Sequence, residues 1–171
     1  ATMNVNNIDF QLVQNTSLPG SFKKQAIALA ISTSKYDWII TTDADCTLPA
    51  NWLSVYNDFI LENNPCCVAA PVAYHGNKTL LENYQQLDNL SLQGVTVGSF
   101  GLGNLLLSNG ANFAYQKTAY NEVGGFKGNL HIASGDDMFL LEKFMNSFPE
   151  KIQFMKSTEA VVHTQPVVSW K

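Results

Sequence analysis

The sequence predicts a mixed α/β fold, in which a mostly parallel, Rossmann-like sheet is flanked by helices. Its 171 residues are 46% hydrophobic, enough for one domain with a buried core. Alternating or β-branched stretches are interspersed with stretches whose apolar residues recur at helical spacing. In the first half these follow each other as strand, helix and strand with short connections, which is typical of a βαβ unit and a parallel sheet.

The first half of the chain is predicted to hold three strands and three helices. One helix begins at Pro49, because proline is favoured at the first helical position, and it ends before Asn64-Pro65. The predicted strands cover residues 8–13, 36–42 and 66–74, and the predicted helices cover residues 22–34, 49–62 and 79–95. In the third helix the spacing predicts an inward-facing stripe of Leu81, Tyr84, Leu87 and Leu92.

The second half of the chain mixes short strands and helices. Gly98, Gly101 and Gly103 predict a mobile loop after the third helix, and a second loop leads from Gly124-Gly125 to Ser134. The predicted strands cover residues 105–107, 112–115, 152–155 and 160–163, and the predicted helices cover residues 117–123 and 136–147.

Charge and cysteine content narrow the function classes. The net charge is −4 with only 10 Lys and Arg, which argues against a nucleic-acid partner. A phosphorylated ligand would therefore need help from a metal cation. The longest apolar stretch, Ile27 to Ile31, is far shorter than the ~20 residues of a bilayer span. The three cysteines, two of them adjacent, predict reduced thiols of a cytoplasmic compartment.

A first candidate site is Asp43-Ala44-Asp45, at the end of a predicted strand. On an extended backbone, residues two apart face the same side, so both carboxylates are expected to converge. The carboxyl ends of strands in open sheets are where ligands bind, and paired carboxylates suit Mg²⁺ or Mn²⁺. The alternative is a solvated turn in which both aspartates only cap backbone groups.

A second candidate is Ser134-Gly135-Asp136-Asp137, just before an apolar helix. One interpretation is structural: Ser134 caps the helix and Asp137 completes a variant of the capping box. The other is catalytic, since an ionised aspartate can take a proton from a hydroxyl as its oxygen attacks an electrophilic carbon.

Other single polar residues give weaker indications of function than the two acid pairs. Asn112 is an amide among apolar neighbours and needs partners, either backbone groups or ligand hydroxyls. Residues His75, His131 and His163 share no metal-ligand spacing and are interpreted as ordinary histidines. Cys46 has no neighbouring His or Lys to activate it, which argues against a thiol nucleophile.

Taken in order, several segments resemble one known family. They are Lys23-Lys24, residues 37–45, Leu48-Pro49, residues 109–115, 123–126 and 134–140, Thr164-Gln165-Pro166 and Ser169-Trp170-Lys171. This ordered set resembles glycosyltransferase family 2, the processive and lipid-linked sugar transferases with a GT-A fold.

The resemblance implies roles for the candidate residues. Asp43 and Asp45 would hold a divalent cation and the diphosphate of a nucleotide-sugar donor, with Asp45 as the direct metal ligand. Asp137 would be the catalytic base and Asp136 its acidic neighbour. Gly110, Asn112 and Lys24 would contact substrate. The implied reaction is an inverting transfer of the sugar to a hydroxyl of a glycan or lipid-linked acceptor.

The chain also departs from the family's pattern. The family begins with strands that build a nucleobase pocket and continues to a Gln-x-x-Arg-Trp motif and membrane helices. We therefore expect residues 1–171 to form one partial GT-A domain, truncated at both ends. The longer enzyme would be bacterial, act in polysaccharide synthesis at the cytoplasmic face of the inner membrane, and form a homo-oligomer. We expect the 171-residue fragment alone to lack activity.

Two other functions stay open on the residues alone. A nucleotidyl- or phosphoryl-transferase could use paired aspartates for two metals, although no P-loop or basic phosphate clamp is present in the sequence. A non-catalytic carbohydrate-binding or scaffold domain would use both acid pairs only as caps.

Overall fold

The computed structural model describes residues 11–14, 22–76, 79–167 and 169. Within these ranges the chain forms a mixed α/β domain. The helices are α1 (Phe22–Thr33), α2 (Trp52–Asn63), α3 (Leu80–Gly101), α4 (Lys117–Glu122) and α5 (Asp136–Ser147). The strands are β1 (Trp38–Thr41), β2 (Cys67–Ala69), β3 (Val72–Tyr74), β4 (Phe113–Gln116), β5 (Ile152–Phe154) and β6 (Val162–Thr164).

Two sheets organise these elements. The larger has the order β1-β4-β2-β5, and β4 runs antiparallel to both of its neighbours while β2 and β5 are parallel. The smaller sheet pairs β3 with β6 in parallel. Because β4 is antiparallel, its first residue, Phe113, lies opposite the last residues of β1 and β2, Thr41 and Ala69. Residues that follow β1 and β2 therefore meet residues that precede β4 at one edge.

The core lies on both faces of the larger sheet. Alternate residues of β4 point to opposite faces, so Phe113 and Tyr115 join one buried cluster and Ala114 joins the other. Phe144 of α5 packs in the first cluster, and Trp52 of α2 packs in the second. Helices thus cover both faces of the sheet, as the sequence predicts, but the sheet is mixed rather than mostly parallel, because β4 runs antiparallel to β1 and β2.

Most predicted elements are confirmed, with four corrections. The predicted strand 66–74 is wrong as one strand: it divides at Pro71, which has no N–H to donate, into β2 and β3 of different sheets. The predicted loop at Gly98 and Gly101 is wrong, since α3 continues through both. Residues 105–107 form no strand. Residues 11–13 of the predicted first strand are not in a strand, and its residues 8–10 lie outside the described residues.

The inward-facing stripe predicted for helix α3 is wrong for three of its four residues. Its capping box, made by Thr79 and Glu82, fixes its start. Leu81 is buried as predicted, but Tyr84, Leu87 and Leu92 are 59%, 68% and 48% exposed. The helix packs instead through polar groups such as Asn89, whose Nδ2 donates to the Val72 carbonyl over 2.9 Å. No helix in the described ranges, α3 included, has the length and apolarity to cross a membrane.

Candidate active site

The acid pair after β1 lies in a tight turn. The Cys46 N–H donates to the Asp43 carbonyl over 3.1 Å, so the predicted extended backbone at Asp43-Ala44-Asp45 is wrong. The two carboxylates have different partners instead. Asp43 Oδ1 accepts from Lys23 Nζ at 3.2 Å, and Asp45 Oδ2 accepts from Thr164 Oγ1 at 3.2 Å. Asp45 is solvent-exposed, which leaves its carboxylate accessible to a ligand.

Lys23 connects this turn to the second acid pair. Its Nζ lies 3.2 Å from Asp43 Oδ1 and 3.5 Å from Asp136 Oδ2. Burial by itself would lower the pKa of Lys23, but the carboxylates of Asp136 and Asp43 outweigh it and the pKa is raised. Side chains from distant parts of the sequence are thereby gathered around one ammonium group.

Asp137, the residue after Asp136, is held by backbone groups. Its Oδ2 accepts from the Gly110 N–H at 2.8 Å, and its Oδ1 accepts from the Met138 N–H at 2.8 Å. Burial raises the pKa of Asp137 above the usual carboxyl value, and the backbone hydrogen bonds only partly oppose this. The result is an oriented carboxylate whose affinity for a proton is increased.

The capping-box interpretation of this segment is wrong. The residue before α5 is Gly135, not Ser134, and no side chain caps the helix. Gly135 has φ +70°, and a Cβ there would lie 3.2 Å from the Phe139 ring, so glycine is required. Asp137 is therefore free of the capping role and directed at Gly110.

Gly110 contacts both Thr41, at the end of β1, and Asp137, in α5. Its carbonyl accepts from Thr41 Oγ1 at 2.7 Å, at the end of β1, while its N–H binds Asp137. A Cβ at Gly110 would lie 3.5 Å from Asp136 Oδ2 and 3.7 Å from Asp137. Gly110 therefore lies beside both carboxylates, and its contact with substrate stays a prediction.

Asn112 does not contact the site as expected. Its side chain is 0% exposed. Oδ1 accepts from Trp52 Nε1 at 3.1 Å and Tyr56 Oη at 2.9 Å, and Nδ2 donates to the Pro71 and Ala160 carbonyls at 2.8 Å each. All its hydrogen-bonding positions are used inside the protein, so the expected substrate contact is corrected to a structural role.

Lys24 is likewise corrected from a substrate contact to a structural residue. It is 0% exposed, and its Nζ donates to the carbonyls of Asn129, Ile132 and Ser134 at 3.2, 2.9 and 2.9 Å. The same ammonium lies 4.8 Å from the centroid of the Phe139 ring. Lys24 therefore fixes the segment that leads into Asp136, while its neighbour Lys23 faces the site.

His163 is near the acid turn, which sequence spacing did not reveal. Backbone hydrogen bonds of 2.7 and 3.0 Å join Thr47 and His163, and the next residue, Thr164, binds Asp45. The ring stacks on His75 at 4.5 Å, and its buried Nδ1 has no hydrogen-bond partner among the described residues. Burial and the neighbouring His75 lower the pKa of His163. The pairing of Thr47 with His163 is what brings His163 near the acid turn, and residue spacing in the sequence does not predict that pairing.

The donor set suits a divalent cation bound partly by substrate. No group of three or more His, Cys, Asp and Glu side chains in the described part of the chain is arranged to hold a metal by itself. Mg²⁺-type ions, however, are commonly held by one or two carboxylates together with water and substrate phosphates. Asp43 and Asp45 supply two such carboxylates. The residues present therefore fit the cation that the resemblance implies.

Two solved structures are similar to this chain at low sequence identity. A structure of glucosyl-3-phosphoglycerate synthase from Mycobacterium tuberculosis with Mn²⁺ and UDP-glucose is 15% identical, with TM-score 0.49, and the match covers 92% of this chain and 49% of that one. A second structure, of a mycobacterial protein, is 14% identical, with TM-score 0.47, and the match covers 89% and 44%. The chain spans less than half of either structure's length. No match is found among curated proteins.

The sequence profile of one family covers most of the chain. The profile described as glycosyl transferase family 2 matches residues 18–124, which include Lys23, the acid turn and Gly110 but not Asp136 or Asp137. The match extends over more than half of the 171 residues. This chain belongs to glycosyl transferase family 2.

Proposed function

We propose that this chain is the catalytic core of an enzyme that transfers a sugar, with inversion, from a nucleoside-diphosphate sugar to a hydroxyl group of a glycan or lipid-linked acceptor. The observation that carries the proposal is the contact of one ammonium, Lys23 Nζ, with Asp43 at 3.2 Å and Asp136 at 3.5 Å. It supports a shared site for two acid pairs that the sequence separates widely.

Asp43 and Asp45 are assigned to the donor side. Their carboxylates would hold Mg²⁺ or Mn²⁺ together with the diphosphate, and the cation would neutralise charge on the departing nucleoside diphosphate. Their exposure favours this role, because the donor and its cation must enter from solvent. Thr164, which donates to Asp45, orients the carboxylate.

Asp137 is assigned the role of general base. A base works best when its pKa approaches the operating pH, and burial shifts the pKa of Asp137 in that direction. The Gly110 N–H fixes one carboxylate oxygen, so the group is oriented before substrate arrives. Asp136 carries the contact with Lys23 and thereby links the base to the donor side.

The experiment that tests this proposal is a Mn²⁺ titration of the chain, followed by calorimetry or by the spin resonance of free Mn²⁺, with and without UDP. We expect Asp45→Ala to weaken Mn²⁺ binding by about tenfold or more, because loss of even an indirect ligand contact costs about 10–100-fold. Asp88→Ala, which removes an exposed carboxylate from α3, is the matched control and should leave the affinity unchanged.

The titration also separates the alternatives. Equal Mn²⁺ affinity in Asp45→Ala and wild type would contradict the proposal and favour a non-catalytic domain whose aspartates serve structure only. Tighter Mn²⁺ binding with UDP in the wild type, lost in Asp45→Ala, supports a nucleotide diphosphate as the donor component.

A further inference from the structure

A neutral cavity lies next to the acid site but does not include the acid side chains. Its volume is about 120 Å³, far above the ~10–15 Å³ that one water molecule needs. Its walls come from α3, from the residues that end β2 and from the segment before Gly110, and Phe154 closes one side. Its polar lining consists of Asn89, Gln93, Thr96, Ser108 and Asn109.

Two of these lining residues carry unpartnered polar atoms. Gln93 Oε1 and Ser108 Oγ are buried, and neither has a hydrogen-bond partner among the described residues. Other lining groups are already used: Asn89 Nδ2 donates to the Val72 carbonyl, and Asn109 Oδ1 accepts from the Ala111 N–H. Buried polar atoms in proteins are normally paired, so an unpaired amide oxygen and hydroxyl lining one cavity indicate a ligand that donates and accepts hydrogen bonds.

The position of the cavity relative to the base defines what that ligand does. Phe113 of β4 pairs with Thr41 on one side and Ala69 on the other. The acid turn follows Thr41, whereas Ala69 and Ala70 line the cavity. Asn109, also in the lining, precedes Gly110, whose N–H holds Asp137. The cavity therefore adjoins the segment that holds the base.

In an inverting transfer the nucleophile attacks the face of the sugar opposite to the leaving group. With the diphosphate held at Asp43 and Asp45, the acceptor would therefore need its own binding surface near the base, and the cavity beside Asn109 offers one. The acceptor O–H proton passes to the Asp137 carboxylate as the new C1–O bond forms. The bond between C1 and the phosphate oxygen breaks, and its electron pair leaves with the nucleoside diphosphate.

The lining also selects the chemistry of the ligand. None of the ten residues that line the cavity is charged, which disfavours a phosphate or carboxylate group there. Amide and hydroxyl groups match sugar hydroxyls, and Leu92 and Phe154 offer apolar surface to the C–H face of a ring. On the basis of the proposed function, we propose that this cavity binds the neutral terminal sugar of the acceptor, with Gln93 and Ser108 as its hydrogen-bonding residues.

The test uses NMR titration of the isotope-labelled chain with methyl glucoside and methyl mannoside, and with glucose 6-phosphate as the charged comparison. We expect the neutral glycosides to shift the side-chain amide signal of Gln93. Gln93→Leu and Ser108→Ala should each weaken binding about threefold to tenfold, the effect of one hydrogen bond. Ser91→Ala, on the exposed face of the same helix, is the matched control and should bind as the wild type does.

Three results would overturn the inference: both variants binding the glycosides as tightly as wild type, preferential binding of glucose 6-phosphate in the cavity, or a Gln93 shift produced only by a nucleotide sugar with Mn²⁺. The last would assign the cavity to the donor sugar. Mn²⁺ titration of the same variants should match the wild type, because neither residue contacts the acid turn. Failure of the Asp45 experiment and failure of the glycoside experiment are therefore separate results.

Discussion

Two regions of this molecule each contain a pair of aspartates, but the surroundings of the two pairs differ. Asp43 and Asp45 lie in a turn after β1, and their partners are side chains, the Lys23 ammonium and the Thr164 hydroxyl. Asp136 and Asp137 begin α5, and Asp137 is half-buried and bound by two backbone N–H groups. The first pair can exchange partners with solvent, whereas the second is fixed by the fold.

The difference shows how one residue type can serve two chemical purposes. An accessible carboxylate with mobile partners can bind a cation and phosphate that come and go. A carboxylate that burial makes more basic, and that the backbone orients, can accept a proton. Lys23 and Lys24 show a similar difference. Although they are adjacent in sequence, Lys23 faces the acid site, whereas Lys24 fixes the segment that leads into Asp136.

The largest effect is expected from Asp137→Asn. Asparagine keeps the size and can still accept from Gly110 but cannot take a proton, so transfer by the full-length protein should fall about 10²–10⁴-fold. Asp136→Asn, the matched variant, leaves the base in place and should lose less. Rates that fall equally in both variants, or in neither, would contradict the assignment of the base.

The same variant should not lose stability near neutral pH. Because burial raises the pKa of Asp137, the folded state holds this proton more tightly than the unfolded state. The stabilisation is present below the ordinary carboxyl pKa and is lost as pH rises through the raised value. Thermal unfolding of Asp137→Asn at pH 7 should occur close to the wild-type temperature, because relief of the buried charge offsets the loss of one backbone hydrogen bond that a single amide oxygen cannot keep.

An intermediate effect is expected from Lys24→Met, which removes three hydrogen bonds to the 129–134 segment. We expect a loss of about 2 kcal/mol in the free energy of unfolding, since each bond from a charged donor is worth ~1.5–3 kcal/mol and the released carbonyls regain water. Denaturant unfolding and limited proteolysis of this segment measure it. A loss no larger than that of Lys23→Met would show that Lys24 does not hold the segment.

The smallest effect is expected from Lys23→Met. Its ion pairs are half-exposed, so stability should change by less than about 1 kcal/mol. Mn²⁺ affinity should rise about twofold to fivefold at low salt, because the ammonium no longer competes for Asp43, and the gain should shrink at high salt. Lys151→Met, at the opposite end of the sheet, controls for net charge. Unchanged or weaker Mn²⁺ binding would contradict competition at Asp43.

Much of the fold could be predicted from local patterns in the sequence. Helix α5 begins at Asp136 and ends at Ser147 as predicted, because its apolar residues recur at helical spacing. The leucine stripe of α3 misled the prediction for the same reason: spacing shows that an apolar face exists but not which elements are available to cover it. The division of residues 66–74 at Pro71 depends on strand partners that arrive later in the chain.

The sequence by itself determined the helices, most strands, the family and the two acid pairs, since propensity, periodicity and side-chain chemistry are local properties. The tertiary structure decided which polar residues face the site. Asn112 and Lys24 are used in internal hydrogen bonds, while Lys23 Nζ contacts the acid turn and His163 pairs with Thr47 through its backbone. Partners of this kind are set by strand pairing and packing between distant segments, which residue spacing does not encode.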